Sequence, residues 1–183
     1  TNLAIRYLRE SIKDIGLQIE LAEFTINHSQ QYIVNEIYKL QPDIIGFSCY
    51  IWNIEMIHKI SKLLKKVMPG ITIIFGGPEV SFEPKEIMKS NDAIDIIVIG
   101  EGETTFPKLI ESLKNNQDYS ETASIAFRCR GEVYENDSCL SPIEMEEIPF
   151  PYRGEVLEPD KIVYYESSRG CPFQCQYCLS SSF

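Results

Sequence analysis

Three short, mostly apolar runs constrain this chain more than anything else in it. They cover residues 44–47, 71–75 and 94–99, and each stops abruptly at a polar or glycine-rich turn: Ser48, Gly76-Gly77-Pro78 and Gly100-Glu101-Gly102-Glu103. Short runs without polar alternation read as strands covered on both faces. Stretches of helical periodicity lie between and around them. One runs from about Asn53 to Val67, one starts near Pro84, and one behind Thr104 carries Phe106, Leu109, Ile110 and Leu113. Upstream, Ile33, Ile37 and Leu40 share a face of a helix over 29–40, and Leu17, Ile19 and Leu21 alternate as a strand. Leu3, Ala4, Tyr7, Leu8, Ile12 and Ile15 give a first helix that stops at Gly16. Strands alternating with helices of about ten to fifteen residues predict an α/β fold with a doubly wound, flavodoxin- or Rossmann-like parallel sheet. Ligands of such sheets sit beyond the C-terminal strand ends, here segments 25–29, 48–53, 76–82 and 99–104. Such a sheet normally begins with a central strand, whereas this sequence begins with a helix, so a first strand is expected upstream of residue 1.

The pattern changes in the last third. Residues 124–129 and 132–135 flank Arg130-Gly131 and predict a β-hairpin. Residues 137–160 are rich in Pro and Glu and read as a linker over the surface. Ile162 to Tyr165 predict a last strand, and a cysteine motif follows it. The expected organisation is an α/β domain over 1–118, hairpin and linker over 119–160, and the start of a further domain over 161–183. The net charge of −10 argues against nucleic acid as a partner, because a phosphate-tracking surface needs clustered Lys and Arg. No apolar stretch approaches the roughly 18 residues of a membrane span, and no signal peptide opens the sequence. A cytoplasmic protein with no membrane partner is expected.

The motif is Cys171-Pro172-Phe173-Gln174-Cys175-Gln176-Tyr177-Cys178, a C-x3-C-x2-C pattern behind the turn Ser167-Ser168-Arg169-Gly170. A zinc site usually wants four ligands in two pairs, and neither His28 nor His58 lies near in sequence. A disulfide would leave one cysteine over. Three closely spaced thiolates suit an iron–sulfur cluster, and on a four-iron cluster they leave one iron open for chemistry. Cys49, Cys129 and Cys139 read as small apolar side chains.

Gly170 to Cys178, with an aromatic just before the third cysteine, resembles the cluster loop of radical SAM enzymes. The resemblance implies that Cys171, Cys175 and Cys178 bind a [4Fe–4S] cluster. The open iron would chelate S-adenosylmethionine, which is then cleaved reductively to a 5′-deoxyadenosyl radical. The catalytic barrel of that family would follow residue 178, so the fragment is expected to be silent alone. Pro42-Asp43-Ile44-Ile45-Gly46-Phe47-Ser48, Phe75-Gly76-Gly77-Pro78-Glu79, Asp95 to Glu103, and Ile148-Pro149-Phe150-Pro151-Tyr152 resemble, in order, blocks of the cobalamin-binding domain that precedes the barrel in one radical SAM subgroup. That resemblance implies cobalamin as second cofactor. Ser48, Tyr50, Gly76, Gly77, Pro78, Gly100, Glu101, Gly102 and Glu103 would be its contacts, with Trp52 adding apolar surface or packing in the core. Glu101 and Glu103 also suit the positive end of the helix behind them. The Asp-x-His-x-x-Gly loop that supplies a cobalt ligand in many corrinoid proteins does not occur in these residues, its usual place being directly after the first strand expected upstream; His58 reads as a surface or satisfied packing residue, and His28 lies at the ligand edge. The subgroup includes methyltransferases and an anaerobic cyclase of magnesium porphyrins, with flavodoxin or ferredoxin as electron donor and a small-molecule substrate that these residues do not reveal. The competing reading is a non-catalytic α/β ligand-binding or redox-sensing module with a metal-binding cysteine loop.

Overall fold

The computed structural model describes residues 2–138, 143–156, 159–160, 162–171, 173, 175–176 and 178. The order of elements is α1 (Leu3–Ile12), α2 (Gln30–Leu40), β1 (Ile44–Ser48), α3 (Ile54–Val67), β2 (Thr72–Gly76), α4 (Pro78–Ser81), α5 (Pro84–Ser90), β3 (Ile96–Val98), α6 (Gly102–Lys114), β4 (Ile125–Cys129) and β5 (Glu132–Glu135). The chain divides into two compact units. One comprises 1–23, 101–119 and 139–183, and the other 24–100 and 120–138.

The second unit holds a five-stranded sheet in the order β1-β2-β3-β4-β5. β1, β2 and β3 are parallel, while β4 and β5 run antiparallel. The predicted hairpin therefore forms, but it extends the sheet instead of following it. Ile99 N–H bonds to Ser124 O at 2.9 Å and Arg128 N–H to Asp95 O at 2.9 Å, which zip β4 onto the free edge of β3. β5 closes that side with Glu132 and Glu135 at its two ends, and Lys85 lies 3.6 Å from Glu135. The apolar core gathers Ile33 and Ile37 of α2, Ile57, Ile60 and Leu64 of α3, Ile73 and Phe75 of β2, and Ile97 of β3. Helical periodicity fixes this, because residues three and four apart share one face. Ser29 caps α2 by accepting the Tyr32 N–H, and α4 and α5 both begin on proline, whose fixed φ suits a first helical position.

Two expected strands do not form, because a strand exists only where another strand completes its ladder. Residues 17–21 form no strand despite their alternation. Residues 162–165 form none either, and Ile162 is 77% exposed. β1, expected to be covered on both faces, pairs with β2 alone among the described residues and is only half-buried. By contrast Ile73, Ile74 and Phe75 of β2 are fully buried.

In the first unit α1 continues as a 3-10 turn to Ile15 and stops at Gly16, in the left-handed conformation with φ 73°. The stretch expected to lie over the surface is anchored instead. Glu155 accepts from Arg6 Nε at 3.1 Å and from Arg9 Nη1 at 2.5 Å, Arg9 Nη2 donates to Pro151 O, and Pro151 and Tyr152 are buried. Two arginines one helical turn apart on α1 thus hold residues 151–155 in place.

Candidate functional site

Predicted ligand residues gather at the C-terminal ends of β1, β2 and β3. The strand register sets Ser48 opposite Gly76 and Gly76 opposite Val98, so the three lie in a row across the sheet edge. Beyond that row the backbone is drawn together. Cys49 N–H donates to Gly76 O at 2.7 Å. Gly77 has φ 110°, and a Cβ there would stand 2.6 Å from Cys49 O and 3.1 Å from Cys49 N. Both facts require glycine, so Gly77 is fixed by the protein's own packing. Ser81 then ties two turns together: its hydroxyl donates to Gly77 O at 2.9 Å and accepts from Gly100 N–H at 3.0 Å. Asn53 closes the loop after β1, accepting from Tyr50 N–H at 2.8 Å and donating to Ser48 O at 3.0 Å.

Two side chains stand out at this edge. The Ser48 hydroxyl oxygen is buried and has no hydrogen-bond partner among the described residues. A buried polar group left so costs about 1–3 kcal/mol. Tyr50 stacks flat on Trp52, with centroids 4.6 Å apart and planes 4° apart. Trp52 is 66% exposed and so belongs to the surface, not the core. Cys49 is a core residue, as expected, and burial pushes its thiol up to about 12. His58 Nδ1 accepts from Asn91 Nδ2 at 2.7 Å, and burial, then the Lys62 charge, hold its pKa below the usual value. His28 folds into its own turn, where Nδ1 accepts from Thr25 N–H and the ring lies 5.0 Å from that of Tyr32.

Glu101, Gly102 and Glu103 belong to the other unit, at the start of α6. A Cβ on Gly102 would stand 2.9 Å from Leu8 Cδ2, so this glycine lets α6 approach α1 closely. Glu101 is the N-cap of α6 but makes no capping hydrogen bond with its side chain; it accepts from Ile143 N–H at 3.1 Å. Glu103 accepts from Arg169 Nη2 at 2.5 Å, while Glu166 accepts from Arg169 Nε at 2.8 Å. The guanidinium also lies 5.0 Å from the centre of the Tyr7 ring. Burial works to lower the pKa of Arg169, but the hydrogen bonds and charges of Glu103 and Glu166 outweigh it and raise it. Sequence reasoning did not single out Arg169, Ser81 or Asn53. Asn53 carried the ordinary signal of an Asn just before a helix, but the partners of Arg169 and Ser81 were invisible.

Two residues beyond Arg169 comes the cysteine motif. Cys171 is exposed, Cys175 and Cys178 are half-buried, and Cys178 N–H donates to Cys175 O at 3.0 Å. Among the described residues no group of three His, Cys, Asp or Glu side chains is placed to hold a metal ion. Pro172, Gln174 and Tyr177 of the motif, and Cys139, lie outside the described residues.

Three parallel strands whose C-terminal ends carry close glycine turns, a buried hydroxyl without a partner among the described residues and a stacked Tyr50–Trp52 pair have the architecture of the open α/β class, whose ligands lie at that edge. The model of the B12 binding domain matches residues 1–110, and the chain belongs to that family. It is 32% identical over 148 residues to the 2-(S-pantetheinyl)-carbapenam-3-carboxylate methyltransferase of Streptantibioticus cattleyicolor, covering 75% of this chain and 22% of that protein. It is 29% identical over 148 residues to the anaerobic magnesium-protoporphyrin IX monomethyl ester cyclase of Synechocystis sp., covering 76% of this chain and 29% of that protein. Among solved structures it shares its fold with the cobalamin-dependent S-adenosylmethionine radical enzyme OxsB with aqua-cobalamin and S-adenosylmethionine bound. That match has a TM-score of 0.68 and 24% identity, over 81% of this chain and 21% of the other. The chain thus spans less than a third of the length of each of these proteins. No helix among the described residues is long and apolar enough to cross a membrane.

Proposed function

We propose that this chain is the cobalamin-binding portion and cluster loop of a cobalamin-dependent radical SAM enzyme. The observation that carries the reading is the buried Ser48 hydroxyl, which has no hydrogen-bond partner among the described residues and lies at the edge where an open α/β sheet receives its ligand. It would hydrogen-bond the cobalamin. The turns at Gly76, Gly77, Pro78 and Gly100 would bring backbone close to the ligand, and the Tyr50–Trp52 stack would offer it a flat apolar wall. Glu101 and Glu103, already engaged by Ile143 and Arg169, are assigned to the protein's own architecture. Cys171, Cys175 and Cys178 would hold a [4Fe–4S] cluster; Cys171 and Cys175 carry free thiols, which suit such a cluster chemically. When bound, the cluster and cobalamin supply reductive cleavage of S-adenosylmethionine to a 5′-deoxyadenosyl radical and a second cofactor for methyl transfer or oxidative cyclisation. A small flavodoxin or ferredoxin in the cytoplasm would deliver the electron. The relatives span a methyltransferase and a cyclase, so the substrate would be read outside these residues.

The test is a hydroxocobalamin titration of the full-length protein beside its Ser48→Ala variant. Removing an orphan hydroxyl should stabilise the unliganded protein by about 1 kcal/mol in urea unfolding, while weakening cobalamin binding roughly tenfold. A variant that loses stability and keeps its affinity would refute the assignment. Anaerobic reconstitution with iron and sulfide should give a broad visible absorption that Cys175→Ala abolishes. Cobalamin binding without that absorption would favour the non-catalytic binding module.

A further inference from the structure

We propose that Arg169 is a positioning residue that moors the segment leading into Cys171 to the first turn of α6, with Glu103 as its mooring point. The inference rests on the cluster reading above. Its geometry is unusually complete for a side chain outside any regular element. Glu103 lies 2.5 Å from Nη2, Glu166 2.8 Å from Nε, and Glu101 4.0 Å from Nη1, so each nitrogen of the fork faces a carboxylate. The guanidinium carbon lies over the ring of Tyr7, 5.0 Å from its centre, and Tyr7 is itself buried in α1. The side chains of Arg169 and Glu103 are only 13% and 10% exposed. A planar five-donor cation in this setting fixes orientation as well as distance, which a lysine does not. Gly170, with φ 78°, then turns the chain directly into Cys171.

Charge gives the arrangement a second role. Three carboxylates surround one guanidinium, and the first turn of α6 favours anions but does not neutralise three of them. Cysteines that bind iron do so as thiolates, so a loop gathering anionic sulfur two residues away would meet this acidic turn unscreened. Arg169 is the cation that lets the two lie near each other. It acts through the backbone of the loop and needs no contact with the cluster.

The experiment compares full-length wild type with Arg169→Met, Arg169→Lys, Glu103→Gln and the double variant Glu103→Gln/Arg169→Met. In metal-free protein, hydrogen exchange of residues 166–171 should quicken roughly tenfold in Arg169→Met and in isosteric Glu103→Gln, the size expected for a lost charge-assisted hydrogen bond. The double variant should be no faster than either single, since both remove one interaction, and Arg169→Lys should fall between. After anaerobic reconstitution, the single variants should lose iron to a chelator several-fold faster than wild type, while cobalamin affinity of Arg169→Met stays within twofold of wild type. Unchanged exchange, additive single variants, or a parallel loss of cobalamin binding would each overturn the proposal. If the exchange pattern appears but wild type takes up no iron and sulfide, the mooring stands and the cluster reading falls. If wild type takes up the cluster and the exchange does not change, the reverse holds.

Discussion

The turn after β2 and the Arg169 clasp are both tight and both include a glycine with positive φ, yet they are made of different things. The turn is backbone on backbone. Gly77 touches the Cys49 peptide, and a serine hydroxyl bridges to Gly100. The clasp is side chain on side chain, between residues 66 positions apart. The first kind of site tolerates no added atom. The second depends on a planar, many-donor cation, which a lysine of equal charge matches only in part. Backbone packing makes a rigid cradle, while ion pairs make a mooring that can be retuned residue by residue.

Breaking the turn should have the largest effect. Gly77→Ala must force an L residue into a positive-φ conformation and against a peptide oxygen, which should cost about 3 kcal/mol in urea unfolding. A loss below about 1 kcal/mol would mean that the turn can yield and the contrast is overstated. Ser81→Ala removes the bridge and leaves Gly100 N–H unpaired, so about 1–2 kcal/mol should be lost, read by the same unfolding curve.

The side-chain half of the comparison can be sharpened by pH. In the anchor of residues 151–155, burial tends to raise the Glu155 pKa, but hydrogen bonds from Arg6 and Arg9 outweigh it and hold it below the ordinary 4.5. The unfolded chain therefore takes up the proton first as pH falls. The contribution of Glu155 is complete above about pH 4.5 and disappears as pH drops through its lower folded value. Glu155→Gln should cost about 1 kcal/mol at neutral pH and flatten that acid limb. An unaltered acid limb would show that the anchor rests on packing of Pro151 and Tyr152 alone. The smallest effect belongs to Gly46, where a Cβ would meet nothing within 4 Å among the described residues. Gly46→Ala should stabilise the strand by about 0.5 kcal/mol; a loss of stability there would show that β1 is also backbone-limited.

These differences explain what could be read in advance. Ile73, Phe75 and Ile97 announce a buried sheet because burial of a strand is written in consecutive residues. Gly77 announces a close approach because only one residue type permits it, although whether the approach is to a ligand or to Cys49 is not local information. Leu17, Ile19 and Leu21 alternate as a strand would, but alternation supplies no ladder partner. Arg169 is an ordinary arginine in sequence, and its role arises only when the fold brings Glu103 and Tyr7 to it. The antiparallel attachment of β4 to β3 was hidden for the same reason, since pairing depends on which edge remains open.

The glutamates at either end of β5 bear on how this protein behaves in quantity. An outermost strand offers a row of unused amides and carbonyls to any passing chain. Here Glu132 and Glu135 flank that row, and a second copy approaching head-on would bring its own pair of negative charges against them. Replacing both with valine would leave the fold's interior untouched and turn this rim into a template for stacking, so concentrated samples should turn cloudy long before they unfold.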